Sequence, residues 1–277
     1  MTQRRCRPML GSDLRVILVG WGAIGRRVAA LLAQRAAPVT IVAVAVRDVT
    51  APRDGLPKGA ALIDTPADLA SLNADLMIEA AGRASVAPWA RAGLSRGWDV
   101  AISSTSALTD TGLLAELTAT ALAHNAQILI PPGALGGIDA LSAASRLGLA
   151  SVRHEVVKPP RAWAGTRAET LCDLAGLAQA HTFFEGTARQ AADSYPQNAN
   201  VAVISAMAGL GLDRTTVALI ADPAATLNTH RILATGDFGT LTLSLENRPL
   251  ATNPKSSEMT ALSLTRMIEN RINPLVI

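Results

Sequence analysis

The feature that most narrows the possible folds is Gly20-Trp21-Gly22-Ala23-Ile24-Gly25. It follows the short β-branched run "RVILVG" (15–20) and opens "AIGRRVAALLAQRA" (23–36), whose apolar residues recur at helical spacing. In a G-x-G-x-x-G turn between strand and helix each glycine has a mechanical task. Gly20 allows the tight turn, Gly22 lets a pyrophosphate approach the backbone, and Gly25 lets helix and strand pack closely. The helix start then presents unpaired N–H groups and positive dipole to the phosphates. Ala23 and Ile24 complete the cofactor-facing turn. A dinucleotide is the expected ligand.

The chain continues in the same grammar for about 130 residues. "VTIVAVAV" (39–46), "DLMIEAAG" (75–82), "WDVAISS" (98–104) and "AQILIPPG" (126–133) are apolar runs ending in small residues. "SVAPWARAGLSRG" (85–97) and "TDTGLLAELTATALAHN" (109–125) separate them as helices. Strands alternating with helices predict right-handed βαβ units on a parallel sheet, a doubly wound Rossmann domain. Hydrophobic residues make up 49% of the 277 positions and aromatic ones only 3%, so small aliphatic side chains must fill the core. After residue 136 the pattern changes. "ASVRHEVVKPP" (150–160), "TTVALIADP" (215–223), "LNTHRILATG" (227–236) and "GTLTLSLEN" (239–247) read as strands, the last two joined by a short turn. Helices are expected near 186–194 and 199–211. The second domain is thus an α+β unit with a mixed, largely antiparallel sheet. The expected boundaries are 1–136 and 137–253, and a C-terminal helix within 254–277, with Ser256 or Ser257 as N-cap, is expected to pack back on the first domain.

Composition excludes several roles. A net charge of +3 without a Lys/Arg stripe gives no support to nucleic-acid binding. "VAVISAMAGLGL" (201–212), the longest uncharged apolar run, is too short to cross a bilayer, and the basic N-terminus has no apolar segment behind it. Cys6 and Cys172 form neither a metal motif nor a disulfide framework, which fits a reducing cytoplasm. No metal is expected.

At the end of the second strand Arg47 and Asp48 stand side by side. An acid there binds the ribose 2′-hydroxyl of NAD, whereas an arginine accommodates the 2′-phosphate of NADP. Both cofactors stay open, and either residue could be an ordinary loop charge. Ala81 and Gly82, ending the third apolar run, are further cofactor candidates.

Five segments in order, "PPGALGGIDAL" (131–141), "KPPRAWAGT" (158–166), "YPQNANVAVISAMAGLGLDRT" (195–215), "DPAATLNTHRI" (222–232) and "NPKSSEMTALS" (253–263), resemble the L-aspartate dehydrogenase family. The resemblance runs from about residue 14 to the C-terminus. It implies an N-terminal Rossmann domain and a C-terminal domain that supplies substrate contacts. It implies oxidation of L-aspartate to iminosuccinate with NAD or NADP, hydrolysis to oxaloacetate and ammonia, a homodimer, and in some members a supply of iminosuccinate for NAD biosynthesis. It places cofactor contacts on Ala134 and Asn200 and the catalytic histidine on His230. Asn200 otherwise reads as a helix cap, and His230 as a structural histidine. Trp21 departs from the smaller residue or cysteine common in the family; its side chain is expected to point away from the pyrophosphate.

A dicarboxylate substrate needs cationic and hydroxyl donors. Lys158, Thr166, Lys255, Ser256 and Ser257 are the candidates, with capping or surface polarity as the alternative for each; Arg167 is weaker, and Arg161 has no assigned role. A neutral imidazole at His230 could accept the amine proton or activate the water that attacks the imine. His124, His154 and His181 have no such explanation. Competing readings are a two-domain reductase of another small acid, resembling homoserine dehydrogenase or dihydrodipicolinate reductase, and a non-catalytic NAD-binding regulator.

Overall fold

The computed structural model describes residues 13–196 and 200–277, the side chains of Pro254 and Lys255 excepted. Cys6, the basic N-terminus, the first two residues of Asn198-Ala199-Asn200 and the expectation for Lys255 therefore lie outside the described residues. The chain divides into two compact units: one ends at Pro131 and takes in Ala261–Ile277, the other is Pro132–Thr260.

In the first unit, β1 (Leu14–Val19), β2 (Val39–Ala45), β3 (Ala61–Ile63), β4 (Leu76–Glu79), β5 (Asp99–Ile102) and β6 (Ile128–Leu129) form one sheet in the order β3-β2-β1-β4-β5-β6. All its pairings are parallel. This is the doubly wound Rossmann order, with its switch point between β1 and β4. The strands are apolar along most of their length because both faces are covered, the polar Arg15, Thr40, Glu79 and Asp99 standing at or near strand ends. Ile17 and Val19 join a cluster with Val86, Trp89, Ala90 and Leu94 of α2 (Arg83–Leu94) and Leu117 of α3 (Thr111–Ala123). Leu14, Val16 and Leu18 point the other way, to Val28, Leu31 and Leu32 of α1 (Ala23–Gln34). Each such valine, leucine or isoleucine contributes roughly 1.5–3 kcal/mol by leaving water.

The sixth strand is far shorter than the run 126–133 predicts. Pro131 and Pro132 lack the N–H groups that would continue the ladder.

The second unit opens with a helix absent from the sequence reading, α4 (Ile138–Ala144). Its sheet runs β11-β10-β7-β9-β8, from β7 (Leu149–Lys158), β8 (His181–Thr187), β9 (Thr216–Ala221), β10 (Asn228–Gly236) and β11 (Gly239–Asn247). The β7–β9 pair is parallel and the other three pairs are antiparallel, which makes the sheet mixed as expected. β8 escaped the sequence reading because it is an edge strand: only Phe183 among its residues is buried. α5 (Ala188–Ser194) starts at a capping box of Thr187 and Gln190. α6 (Asn200–Ala208) lays Ala202 and Ala206 against Val156, Val217 and Leu219.

A small hairpin, β12 (Pro249–Leu250) and β13 (Asn253–Ser257), precedes α7 (Glu258–Glu269). Ala261, Leu264 and Ile268 of α7 join the α1-side cluster of the first unit. Arg271 pairs with Asp99 at 2.5 Å, and Arg35 pairs with Glu269. No helix among the described residues is long and apolar enough to cross a membrane.

Candidate functional site

In the first unit, a cleft of about 570 Å³ lies at the carboxyl ends of β1, β2 and β4. Gly20, Gly22, Arg47, Ala81 and Gly82 line it. Gly20 has φ +107°, and a Cβ there would sit 2.8 Å from the Ala80 carbonyl oxygen. A Cβ on Gly25 would sit 2.2 Å from the Gly20 oxygen, whereas one on Gly22 would meet nothing within 4 Å. The turn thus needs Gly20 and Gly25 for its own shape, and Gly22 faces open space where a phosphate fits. α1 begins there with no side-chain cap and no acidic residue in its first turn. The residues present therefore suit a dinucleotide pyrophosphate.

α2 also begins at the cleft, but Glu79 occupies its start. This fully buried carboxylate ends β4. Its Oε1 accepts from the amides of Ala81 and Gly82, both at 2.9 Å, from Ser85 Oγ at 2.8 Å and from Ser104 Oγ at 3.0 Å. Its Oε2 accepts from the Ser104 amide at 3.0 Å. Ala81 and Gly82 thus border the cleft while donating their amides inward. Glu79 was missed by sequence reading, although a charged residue closing the run "LMIE" was its signal.

Arg47 and Asp48, adjacent in sequence, have different surroundings. Arg47 borders the cleft together with Arg53 and Asp64. The Asp48 carboxylate instead closes a local turn, accepting from the Thr50 amide at 2.8 Å and hydroxyl at 2.6 Å. These bonds hold its pKa below the usual value. Trp21 donates its indole N–H to the Asp54 carbonyl, which draws the ring toward that loop.

In the second unit, strand alternation puts Val152, His154, Val156 and Lys158 on one face of β7. His230 of β10 is directly opposite Val156, and Ile232 is opposite His154, so the two histidines are diagonal neighbours on that face. His154 Nε2 and His230 Nδ1 are 3.3 Å apart. His154 Nδ1 is 2.9 Å from Ser205 Oγ of α6. His230 is 4% exposed, Lys158 8%, and His154 and Ser205 are wholly buried. Burial pushes His154 down to about 3. Burial, then the influence of His154 and of Lys158, pushes His230 well below the ordinary histidine value. Both rings are therefore neutral at pH 7. His154 and Ser205 were overlooked in the sequence because their partners are distant along the chain.

Lys158 stands at the end of β7 with its Nζ 5.1 Å from the centre of the Trp163 ring. Burial lowers it to about 8 from the ordinary 10.5. With the folded-state value below the unfolded one, the buried cation costs stability at neutral pH. That cost is relieved as pH rises through about 8 to 10.5. Lys158→Met should therefore be more stable than the wild type at pH 7, by up to about 3 kcal/mol in unfolding free energy, and the difference should shrink toward pH 10. A variant less stable than wild type at pH 7 would contradict this.

The remaining candidates have local partners. Thr166 Oγ1 donates to the Trp163 carbonyl at 2.6 Å and accepts from the Ala168 amide at 3.2 Å, the capping alternative. Ser256 Oγ accepts from Asn253 Nδ2 at 3.1 Å. Ser257 is buried and immediately precedes α7. Asn200 is the first residue of α6. Ala134 is buried, and its carbonyl accepts from Asn247 Nδ2 at 2.8 Å, a residue the sequence did not single out. Arg167, His124 and His181 are exposed.

Residues 139–271 match the family described as "Aspartate dehydrogenase, C-terminal", and residues 20–131 match "Homoserine dehydrogenase, NAD binding domain". The chain is 62% identical to an L-aspartate dehydrogenase of Brucella anthropi, over 95% of this chain and 98% of that one. It belongs to the L-aspartate dehydrogenase family. An L-aspartate dehydrogenase of Pseudomonas aeruginosa is 42% identical, over 95% of this chain and the whole of the relative. Among solved structures, the aspartate dehydrogenase of Thermotoga maritima superposes with a TM-score of 0.77 at 23% identity, covering 95% of this chain and 99% of that one. A homoserine dehydrogenase of Thiobacillus denitrificans reaches 0.60 at 15% identity, over 94% and 73%, which is kinship of fold.

Proposed function

We propose that the chain is an NAD(P)-dependent L-aspartate dehydrogenase. It removes hydride from the α-carbon and a proton from the amine of L-aspartate, leaving iminosuccinate; water then converts the imine to oxaloacetate and ammonia. The observation that carries this reading is the 62% identity to an L-aspartate dehydrogenase along nearly the whole chain. When bound, the oxidised nicotinamide is the hydride acceptor. In the second unit, His230 is the proton acceptor and Lys158 the cation for a substrate carboxylate, whose arrival would offset the burial that lowers the lysine pKa. A homodimer in the cytoplasm that passes iminosuccinate to NAD biosynthesis extends the reading on family resemblance.

The test is to follow reduced-nicotinamide absorbance with each L-amino acid, with NAD and NADP in parallel. Turnover selective for L-aspartate is expected; turnover with another amino acid and none with L-aspartate would overturn the reading. Of the two cofactors we favour NADP. Arg47 and Arg53 border the cleft, outnumbering the single carboxylate Asp64 there, while Asp48 is tied to Thr50. Arg47→Ala should raise the Kd for NADP about 10-fold, the worth of one charge-assisted contact, and leave NAD nearly unaffected. Equal effects on both would mean that the guanidinium does not meet the 2′-phosphate.

A further inference from the structure

We propose that His154, backed by Ser205, is a positioning residue that sets the tautomer of His230, so that Nδ1 carries the proton and Nε2 is the basic atom. The inference rests on the proposed dehydrogenase reading for its purpose, and on the hydrogen-bond chain for its content.

The chain has a direction. Ser205 has one hydroxyl proton and two neighbours, the Ala202 carbonyl oxygen at 3.0 Å and His154 Nδ1 at 2.9 Å. A carbonyl oxygen can only accept. If the hydroxyl proton went to His154, two oxygens would face each other at 3.0 Å through lone pairs alone. The hydroxyl therefore donates to Ala202, and Ser205 Oγ accepts from His154 Nδ1–H. A neutral imidazole with its proton on Nδ1 has a lone pair on Nε2. That lone pair faces His230 Nδ1 at 3.3 Å, so His230 must be the donor and carry its own proton on Nδ1. Nε2 of His230 is left unprotonated.

Burial enforces the scheme. His154 stays neutral and remains an acceptor throughout the physiological range. The titratable groups that act on His230 are His154 and Lys158, both from β7. α6 contributes the neutral Ser205. The ion pairs of Arg153 and Arg231 with Glu155, and of Arg153 with Glu185, involve residues of opposite strand parity and lie on the other sheet face. When the substrate amine gives up its proton, its N–H bond breaks, an Nε2–H bond forms, and the ring gains one positive charge. The bond from Nδ1–H to His154 persists and strengthens.

The direct test reads the wild-type protein, with one variant of each histidine used only for assignment. Long-range ¹H–¹⁵N correlation spectra of the histidine rings in the intact protein at pH 7 should show two neutral Nδ1–H tautomers, assigned to His154 and His230 by loss of each in its own Gln variant. His230 as an Nε2–H tautomer would overturn the proposal. Kinetics give the second arm. His154→Phe keeps a ring but removes the acceptor, and its kcat should fall about 10²-fold with cofactor Kd unchanged. That is milder than the roughly 10⁴-fold loss when the orienting carboxylate of a catalytic triad is neutralised. His154→Gln can present its amide oxygen to His230 and its NH₂ to Ser205, and should recover most of that loss. Equal kcat in the two variants would overturn the proposal; if His154→Phe does not fold, the spectra decide. Absence of aspartate turnover in the wild type would instead defeat the functional reading and leave the tautomer result standing.

Discussion

His230→Ala is expected to fold, to bind cofactor as the wild type does, and to lose about 10²–10⁴-fold in turnover of L-aspartate, the usual contribution of general acid–base catalysis. A proton acceptor must be neutral at working pH, and the surroundings of His230 secure that. Burial first, then His154 and Lys158, lower its pKa, so the base is ready through neutrality and is lost only as pH falls to the depressed value. The cost to folding should be smaller than the cost to catalysis. Removing the ring leaves His154 Nε2 without its donor, a penalty of about 1–3 kcal/mol, which thermal unfolding will report separately from kcat. His230→Asn, whose amide can still donate to His154, should recover stability without recovering turnover. Near-wild-type oxidation by either variant would remove the histidine from the mechanism.

What could be read in advance depended on how local the determinants are. Gly20, Gly22 and Gly25 act within six residues, between a strand and a helix that declare themselves by their periods. The turn, the parallel sheet and the cofactor class were therefore all visible. The mixed second sheet was visible for the same reason: β7, β9, β10 and β11 each alternate or run apolar over six residues or more. His154 was not legible, although the run 150–160 that holds it reads as a strand. Its meaning comes from Ser205, 51 residues away, and His230, 76 residues away. Arg47 and Asp48 could not be separated either, because what divides them is the Asp48 side chain folding back onto Thr50. Thr166 shows the reverse: its capping role is local, and the resemblance alone recommended it for the substrate.

Glu79→Ala should cost about 3–5 kcal/mol of stability by leaving several buried donors unsatisfied, with a marked weakening of cofactor binding. The carboxylate accepts five hydrogen bonds at 2.8–3.0 Å from Ala81, Gly82, Ser85 and Ser104 while wholly buried. Truncation leaves the buried Ser104 amide and hydroxyl without their acceptor, at about 1–3 kcal/mol for each unsatisfied group; Ala81 and Gly82, nearer the cleft, can recruit water and lose less. The functional consequence follows from position. Glu79 anchors the backbone that leads from β4 into α2 along the wall of the cleft, so a loosened 80–82 segment must be ordered again each time a dinucleotide binds. Glu79→Gln separates charge from shape. Its amide oxygen can still accept from Ala81 and Gly82, but its NH₂ then faces the Ser104 N–H, donor against donor. Thermal unfolding and cofactor titration should rank wild type above Gln above Ala in both readouts. If Glu79→Ala melts lower but binds cofactor with unchanged affinity, the carboxylate supports the fold and the cleft wall does not depend on it.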